Sequence, residues 1–173
     1  KTYGDDDPEL TYTTIGLVGE DSLTGLLDRV AGEDVDTYAI GQGTLDNANY
    51  DITFTADDLT INQKALTVVA DAKSKTYGSN DPELTFTTDG LVGTDTLSGA
   101  LDRVAGEDVD TYAIGQGTLD NANYDITFTA DDLTVNAKAI TVTADAKSKT
   151  YGDDDPELTY TTIGLVGEDS LTG

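Results

Sequence analysis

Repetition constrains this chain more than any other feature. Residues 1–25, KTYGDDDPELTYTTIGLVGEDSLTG, return letter for letter as residues 149–173. Lys1-Thr2-Tyr3-Gly4 is also met at Lys75-Thr76-Tyr77-Gly78, so the period is 74 residues. Only about a dozen positions change across one period. A unit this short that recurs almost unchanged is expected to fold as a small module and to find part of its core against neighbouring copies. The third copy follows the first. Asp5-Asp6 becomes Ser79-Asn80 and returns as Asp153-Asp154, and Ile15 becomes Asp89 and returns as Ile163. The array therefore reads A-B-A, as if a two-repeat unit had been duplicated, and is expected to run on in both directions. A unique active site needs one copy of its residues, whereas repetition suits length or many weak contacts.

Within one repeat the apolar residues alternate. Leu10, Tyr12 and Thr14 oppose Thr11, Thr13 and Ile15, and Tyr50, Ile52 and Phe54 oppose Asp51, Thr53 and Thr55. Leu59 with Ile61, and Leu66 with Val68 and Ala70, continue the pattern, and Thr37–Ile40 reads as a further strand. Period two marks half-buried strands. The predicted core takes these inward residues together with Leu17, Leu23, Leu27, Val35 and Tyr38. A short helical turn is expected near Glu20–Thr24, followed by a strand over Leu26–Val30, because Gly25 and Gly32 discourage a longer helix. The predicted fold is all-β or β-dominated: tandem, elongated small domains. Only Asn62-Gln63-Lys64-Ala65 separates one strand from the next, with no Gly, Pro or Ser-rich linker, so a stiff array is expected. The domain frame is then 1–63 as a partial first repeat lacking its N-terminal strand, 64–137 as a complete repeat, and 138–173 as a partial third.

Composition narrows the chemistry. Cys, His, Met and Trp are all absent. Zinc, copper, haem and iron–sulfur sites lose their usual ligands, and Ser-His or Cys-His nucleophiles cannot be built. The net charge of -25, from 34 acidic and 9 basic residues, repels phosphate backbones and anionic lipid. No nucleic-acid partner is expected. No apolar run reaches the length of a membrane span, so no membrane insertion is expected in this segment.

The pattern Tyr3-Gly4, Asp7-Pro8-Glu9-Leu10-Thr11, Gly16-Leu17, Arg29, Ala31-Gly32-Glu33, Thr37-Tyr38-Ala39-Ile40, Gln42-Gly43-Thr44-Leu45, Asn49-Tyr50, Ile52-Thr53-Phe54 and Leu59-Thr60-Ile61 resembles the MBG-type repeats of the YGX class. These occur in tandem in large bacterial surface and adhesin-like proteins. The resemblance covers essentially the whole repeat. It implies an extracellular, cell-surface location, a β-grasp-like module and no catalytic residues to carry over. Asp36 stands where the family leads one to expect Gly. An immunoglobulin-like sandwich is the alternative, because Asp34-Val35-Asp36-Thr37-Tyr38 echoes the approach to a tyrosine corner. The function implied is a stalk or spacer in a repetitive adhesin. The alternatives are repeat-wise weak binding of glycan or matrix ligands, or a self-assembling extracellular fibre.

Two sets of residues stand out as candidate sites. Asp5, Asp6, Asp7 and Glu9, with Asp81 and Glu83, and Asp153, Asp154 and Asp155, are hard oxygen ligands that could hold Ca²⁺, the one metal this composition suits. The competing reading is a solvated turn before Pro8. Lys64, Lys73 and Lys75, with Lys138, Lys147 and Lys149, gather most of the positive charge around one strand. They mark either a protected edge or a homotypic contact with an acidic face of another chain. No cofactor beyond Ca²⁺ is implied, and the certain partners are the neighbouring repeats. No convergent acid–base pair is seen, so the chain is read as non-enzymatic.

Overall fold

The computed structural model describes residues 1–172, and among these every regular element is a strand. They are β1 (Asp28–Arg29), β2 (Thr37–Gly41), β3 (Asp57–Thr60), β4 (Lys64–Ala70), β5 (Lys73–Thr76) and β6 (Phe86–Asp89). Then follow β7 (Asp102–Arg103), β8 (Thr111–Gly115), β9 (Tyr124–Thr129), β10 (Asp131–Asn136), β11 (Thr141–Ala144) and β12 (Tyr160–Ile163). The chain gathers into two compact units. The first comprises Lys1–Val69, Phe86–Ala100 and Gly117–Thr129, and the second comprises Ala70–Thr85, Leu101–Gln116 and the chain from Ala130 on.

The first unit holds two sheets, β1-β2-β3 and β6-β4-β9. In the former, β2 runs antiparallel to both neighbours, with Tyr38 opposite Leu59. In the latter, β4 runs parallel to β9, with Leu66 opposite Ile126 and Val68 opposite Phe128. The alternation seen in the sequence is realised in β4. Leu66, Val68 and Ala70 are buried, while Thr67 and Val69 face out. Leu66, Val68 and Tyr124 form the core, with Leu91, Val92 and Leu97 among the side chains packed on it. Burying an aliphatic side chain of this size contributes about 1.5–3 kcal/mol, so β4 anchors the unit.

The second unit repeats the scheme. Its four-stranded sheet β5-β10-β8-β7 has Tyr112 opposite Leu133, as Tyr38 is opposite Leu59. Here β5 adds as a parallel edge strand, with Val135 opposite Lys75. Ile114, Leu133 and Val135 are its most deeply buried side chains. The other sheet is a pair, β11 with β12, antiparallel.

Several expectations are corrected. The helical turn at Glu20–Thr24 does not form. A turn closes instead from the Asp21 N–H to the Val18 carbonyl, and Thr24 bridges to Asp46. Gly25 sits at φ 97°, and a Cβ there would meet the Thr44 carbonyl oxygen at 2.1 Å, so the chain leaves the helical region to pass close against Thr44. The strand after it is only Asp28–Arg29. Tyr12, placed in the core by its phase, is 45% exposed. Leu45 and its counterpart Leu119, not predicted, are buried, because Thr24 and Ser98 bridge to Asp46 and Asp120 beside them. The Tyr38 hydroxyl donates to the Asp34 carbonyl at 2.9 Å. Asp36 needs no glycine, since no non-glycine residue has positive φ, and its carboxylate accepts from the Thr37 N–H.

Leu133→Ala should cost about 2–5 kcal/mol, and Val69→Ala on the outward face of β4 less than about 0.5 kcal/mol. Urea unfolding followed by far-ultraviolet circular dichroism measures both. Equal losses for the two would contradict the assignment of faces.

Candidate functional site: the joint between repeats and its charge clamp

The acidic turn at Asp5–Glu9 is held by cations. Asp7 receives Nε and Nη2 of Arg29, at 2.6 and 3.1 Å, and the Lys1 ammonium at 2.6 Å. Glu33 pairs with Arg29 at 2.5 Å and with Lys1. Arg29 also donates to the carbonyls of Val30 and Gly32 and lies over the Tyr38 ring, 5.4 Å from its centroid. The second repeat copies the clamp with Lys75, Asp81, Arg103 and Glu107. The Lys1 and Lys75 ammonium arms are only 4% and 3% exposed. A buried ammonium needs paired charge around it, and each clamp supplies two carboxylates.

The candidate calcium ligands therefore have definite places. Asp7 and Asp81 face cations, whereas Asp5, Asp6, Glu9, Glu83, Asp153 and Asp154 are exposed. Asp155 pairs with an exposed Lys149 at 2.5 Å. Among the described residues no group of three acidic side chains converges where a metal ion could sit. The lysines of the candidate association strand divide in the same way. Lys75 is turned inward to Asp81 and Glu107, and Lys73 donates to the Thr85 hydroxyl at 2.6 Å. Lys138 and Lys147 are exposed, and Lys64 opens β4 opposite Tyr124.

The second feature is a tyrosine joint. Within the first unit, Tyr3 of the first repeat reaches the second repeat. Its hydroxyl donates to Asp95 at 2.8 Å, and its ring stands edge-on to Tyr124 at 5.4 Å and 75°. The Tyr124 hydroxyl donates to the same carboxylate at 2.5 Å and accepts from the Val92 N–H at 2.9 Å. Gly4, at φ 83°, lets the backbone pass Val92, whose Cγ2 a Cβ would meet at 2.6 Å. Asn123 strengthens the same joint. Its carbonyl accepts from the Val35 N–H and its amide donates to Asp34, both at 2.9 Å. Gln63 donates to the carbonyls of Ala122 and Tyr124 at 3.1 Å. In the second unit Tyr77 meets Asp169 in the same role.

Sequence reasoning assigned no site role to Tyr3, Asp95 or Asn123. The available signal was that Tyr3, Tyr77 and Tyr151 lie off the alternating phase yet recur unchanged. The linking segment Asn62–Ala65 is held on both sides: the Asn62 carbonyl accepts from the Tyr3 N–H, and the Lys64 N–H donates to the Asn123 carbonyl.

A family model, the MBG domain of YGX type, matches residues 1–60, 66–134 and 140–173. The chain belongs to the MBG domain family. No curated protein and no solved structure matches it. The matched segments cover nearly the entire sequence in three tandem copies, and membership makes this a repeat unit of the kind found in extracellular proteins. Among the described residues no helix is long and apolar enough to cross a membrane.

The MBG clamp titrates in acid. Hydrogen bonds from Arg29, then Lys1, hold the Asp7 carboxyl down to about 2; Arg103, then Lys75, lower Asp81, while Lys1, then Arg29, lower Glu33, and Lys75, then Arg103, lower Glu107. A depressed folded-state pKa stabilises the fold above the unfolded value near 4, and that contribution is lost as pH falls towards about 2. Acid unfolding is expected to begin below about pH 4. In Asp7→Asn/Asp81→Asn the part of the pH dependence between about pH 4 and 2 should flatten. An unchanged acid profile in the double variant would show that other groups govern it. At the other end, the bond to Asp95 raises the Tyr3 hydroxyl to about 12. The joint's stabilisation is complete below about pH 10 and is lost as pH rises through about 12, which ultraviolet titration of tyrosinate in the wild type and in Tyr3→Phe can follow.

Proposed function

We propose that this chain is a stretch of the stalk of a large bacterial cell-surface adhesin, one that holds a terminal binding region away from the cell. The Tyr3–Asp95–Tyr124 joint carries this reading. It ties one repeat to the next by side chains rather than by a linker, and Tyr77 with Asp169 provides its counterpart one repeat later. A mechanical spacer needs copies, short junctions and resistance to bending, and a near-identical repeat with a hydrogen-bonded junction supplies all three. The net charge of -25 keeps neighbouring stalks soluble and apart. We read the chain as non-enzymatic. Asp7 and Asp81, whose carboxyls their surroundings lower, are neutralised by guanidinium and ammonium groups, which suits structure rather than proton transfer.

A second reading rests on one recurring position. Tyr12, Phe86 and Tyr160 are equivalent and 45%, 36% and 51% exposed. Exposed rings stack on sugars, and repeated weak sites gain avidity. Absence of binding across a glycan array at high repeat valency removes this reading.

Small-angle scattering on chains of increasing repeat number tests the stalk. The maximum dimension should grow in proportion to the number of repeats, in calcium and in chelator alike. Tyr77→Ala should keep each repeat folded but bring the growth towards the square-root law of a flexible chain. Square-root growth in the wild type would end the proposal, and a rod that softens only in chelator would instead assign the reach to calcium.

A further inference from the structure

Between Lys64 and Asn136 the repeat pairs its first strands with its last. β4 runs parallel to β9, from Lys64 opposite Tyr124 to Val69 opposite Thr129. β5 runs parallel to β10, from Lys73 opposite Leu133 to Thr76 opposite Asn136. In every pair the partner lies 60 residues further along the chain, so the two ladders share one register. Main-chain bonds extend each ladder. The Lys64 N–H donates to the Asn123 carbonyl at 3.0 Å, and the Tyr77 N–H donates to the Asn136 carbonyl at 2.8 Å. The same register recurs one period earlier, where Thr2 bridges Asn62 in parallel and the Tyr3 N–H donates to the Asn62 carbonyl. It is a property of the repeat and not of one copy.

Chain order sets the direction of load on these ladders. The chain enters at the N-terminal end of β4 and leaves at the C-terminal end of β10. Tension along the chain therefore draws β4 and β5 backwards and β9 and β10 forwards. Between parallel strands this is a lengthwise slide, and the bonds of a ladder resist it together. Antiparallel terminal strands would put both points of attachment at one end of the ladder, where tension breaks one bond at a time. A single main-chain bond contributes only about 1 kcal/mol net, so resistance to force requires several to break at once.

The surroundings of the ladders suit this load. Leu66 and Val68 on β4, and Leu133 and Val135 on β10, are 1% exposed or less, which keeps water from the main-chain bonds beside them. β4 lies between β6 and β9, and β10 between β5 and β8, so neither has a free edge. Lys75, opposite Val135, is fixed by Asp81 and Glu107, and the charge clamp thereby fastens β5 from the side.

We propose that the parallel pairing of β4 with β9 and of β5 with β10 is a shear clamp that makes the repeat resist unfolding when the chain is pulled lengthwise. The inference rests on the stalk reading for its purpose, since a spacer between a cell and an anchored target carries tension. Forced unfolding is governed by the rate of crossing the barrier rather than by equilibrium stability. A small core without disulfides can therefore bear load in this one direction.

Pulling the same repeat in two directions tests the clamp. The chain has no Cys, so an introduced pair gives unique attachment points. Gln63→Cys with Lys138→Cys applies load as the array does. Ser79→Cys with Lys138→Cys pulls the adjoining C-terminal ends of β5 and β10 apart and opens their ladder bond by bond. Gln63 and Ser79 are replaced by Ala137 and Asp5 in the neighbouring copies, and Lys138 is exposed, so these tethers leave the fold intact. In optical tweezers at matched loading rate, the first pair should require a several-fold higher force. The event should release the repeat, at most about 260 Å of chain. Equal forces in the two directions, or a lower force along the chain, overturn the proposal. Scattering separates this result from the stalk itself. Linear growth with equal forces would keep the stalk and remove the clamp, whereas a force asymmetry with square-root growth would keep the clamp and remove the stalk.

Discussion

The structure depends on the capture of one strand. β4 has no partner next to it in sequence. It is covered by β6 on one side and by β9, more than fifty residues downstream, on the other. Until those segments arrive, Leu66 and Val68 have nowhere to be buried. Without Cys the chain has no disulfide to hold such distant segments together, so apolar burial and main-chain hydrogen bonds must do it.

The charge clamp belongs to the same economy of a small core. Lysine is rarely buried, yet Lys75 is 7% exposed. It is tolerated there because Asp81 and Glu107 surround the ammonium, and because Arg103 reaches both carboxylates from the other side. In a chain with so large an excess of carboxylates, bringing some of them against the few cations also relieves repulsion.

The tyrosine joint turns repetition into mechanical connection. One carboxylate, Asp95, accepts from hydroxyls contributed by two different repeats, and Asn123 ties the loop at Asp34–Val35 to the same place. Each bond is modest after the exchange with water. Together they hold the short link Asn62–Ala65 at both ends, which a polar linker could not do.

Much of this was legible in the residues. The 74-residue period, the strands at Thr37–Ile40 and Leu66–Ala70, the outward face of Val69 and the all-β class follow from alternation and from the exchange of residues between copies, because both are local properties. What local pattern could not decide was which strand lies beside which, and with what consequence. Tyr3 docks on Asp95 and Tyr124, Lys75 turns inward, Tyr12 is left half-exposed, and Glu20–Thr24 forms a turn rather than a helix. The first two are set by contacts with residues far away in the chain. A phase of two says that a side chain has an inner face, but only the arrival of a distant neighbour determines whether that face is covered.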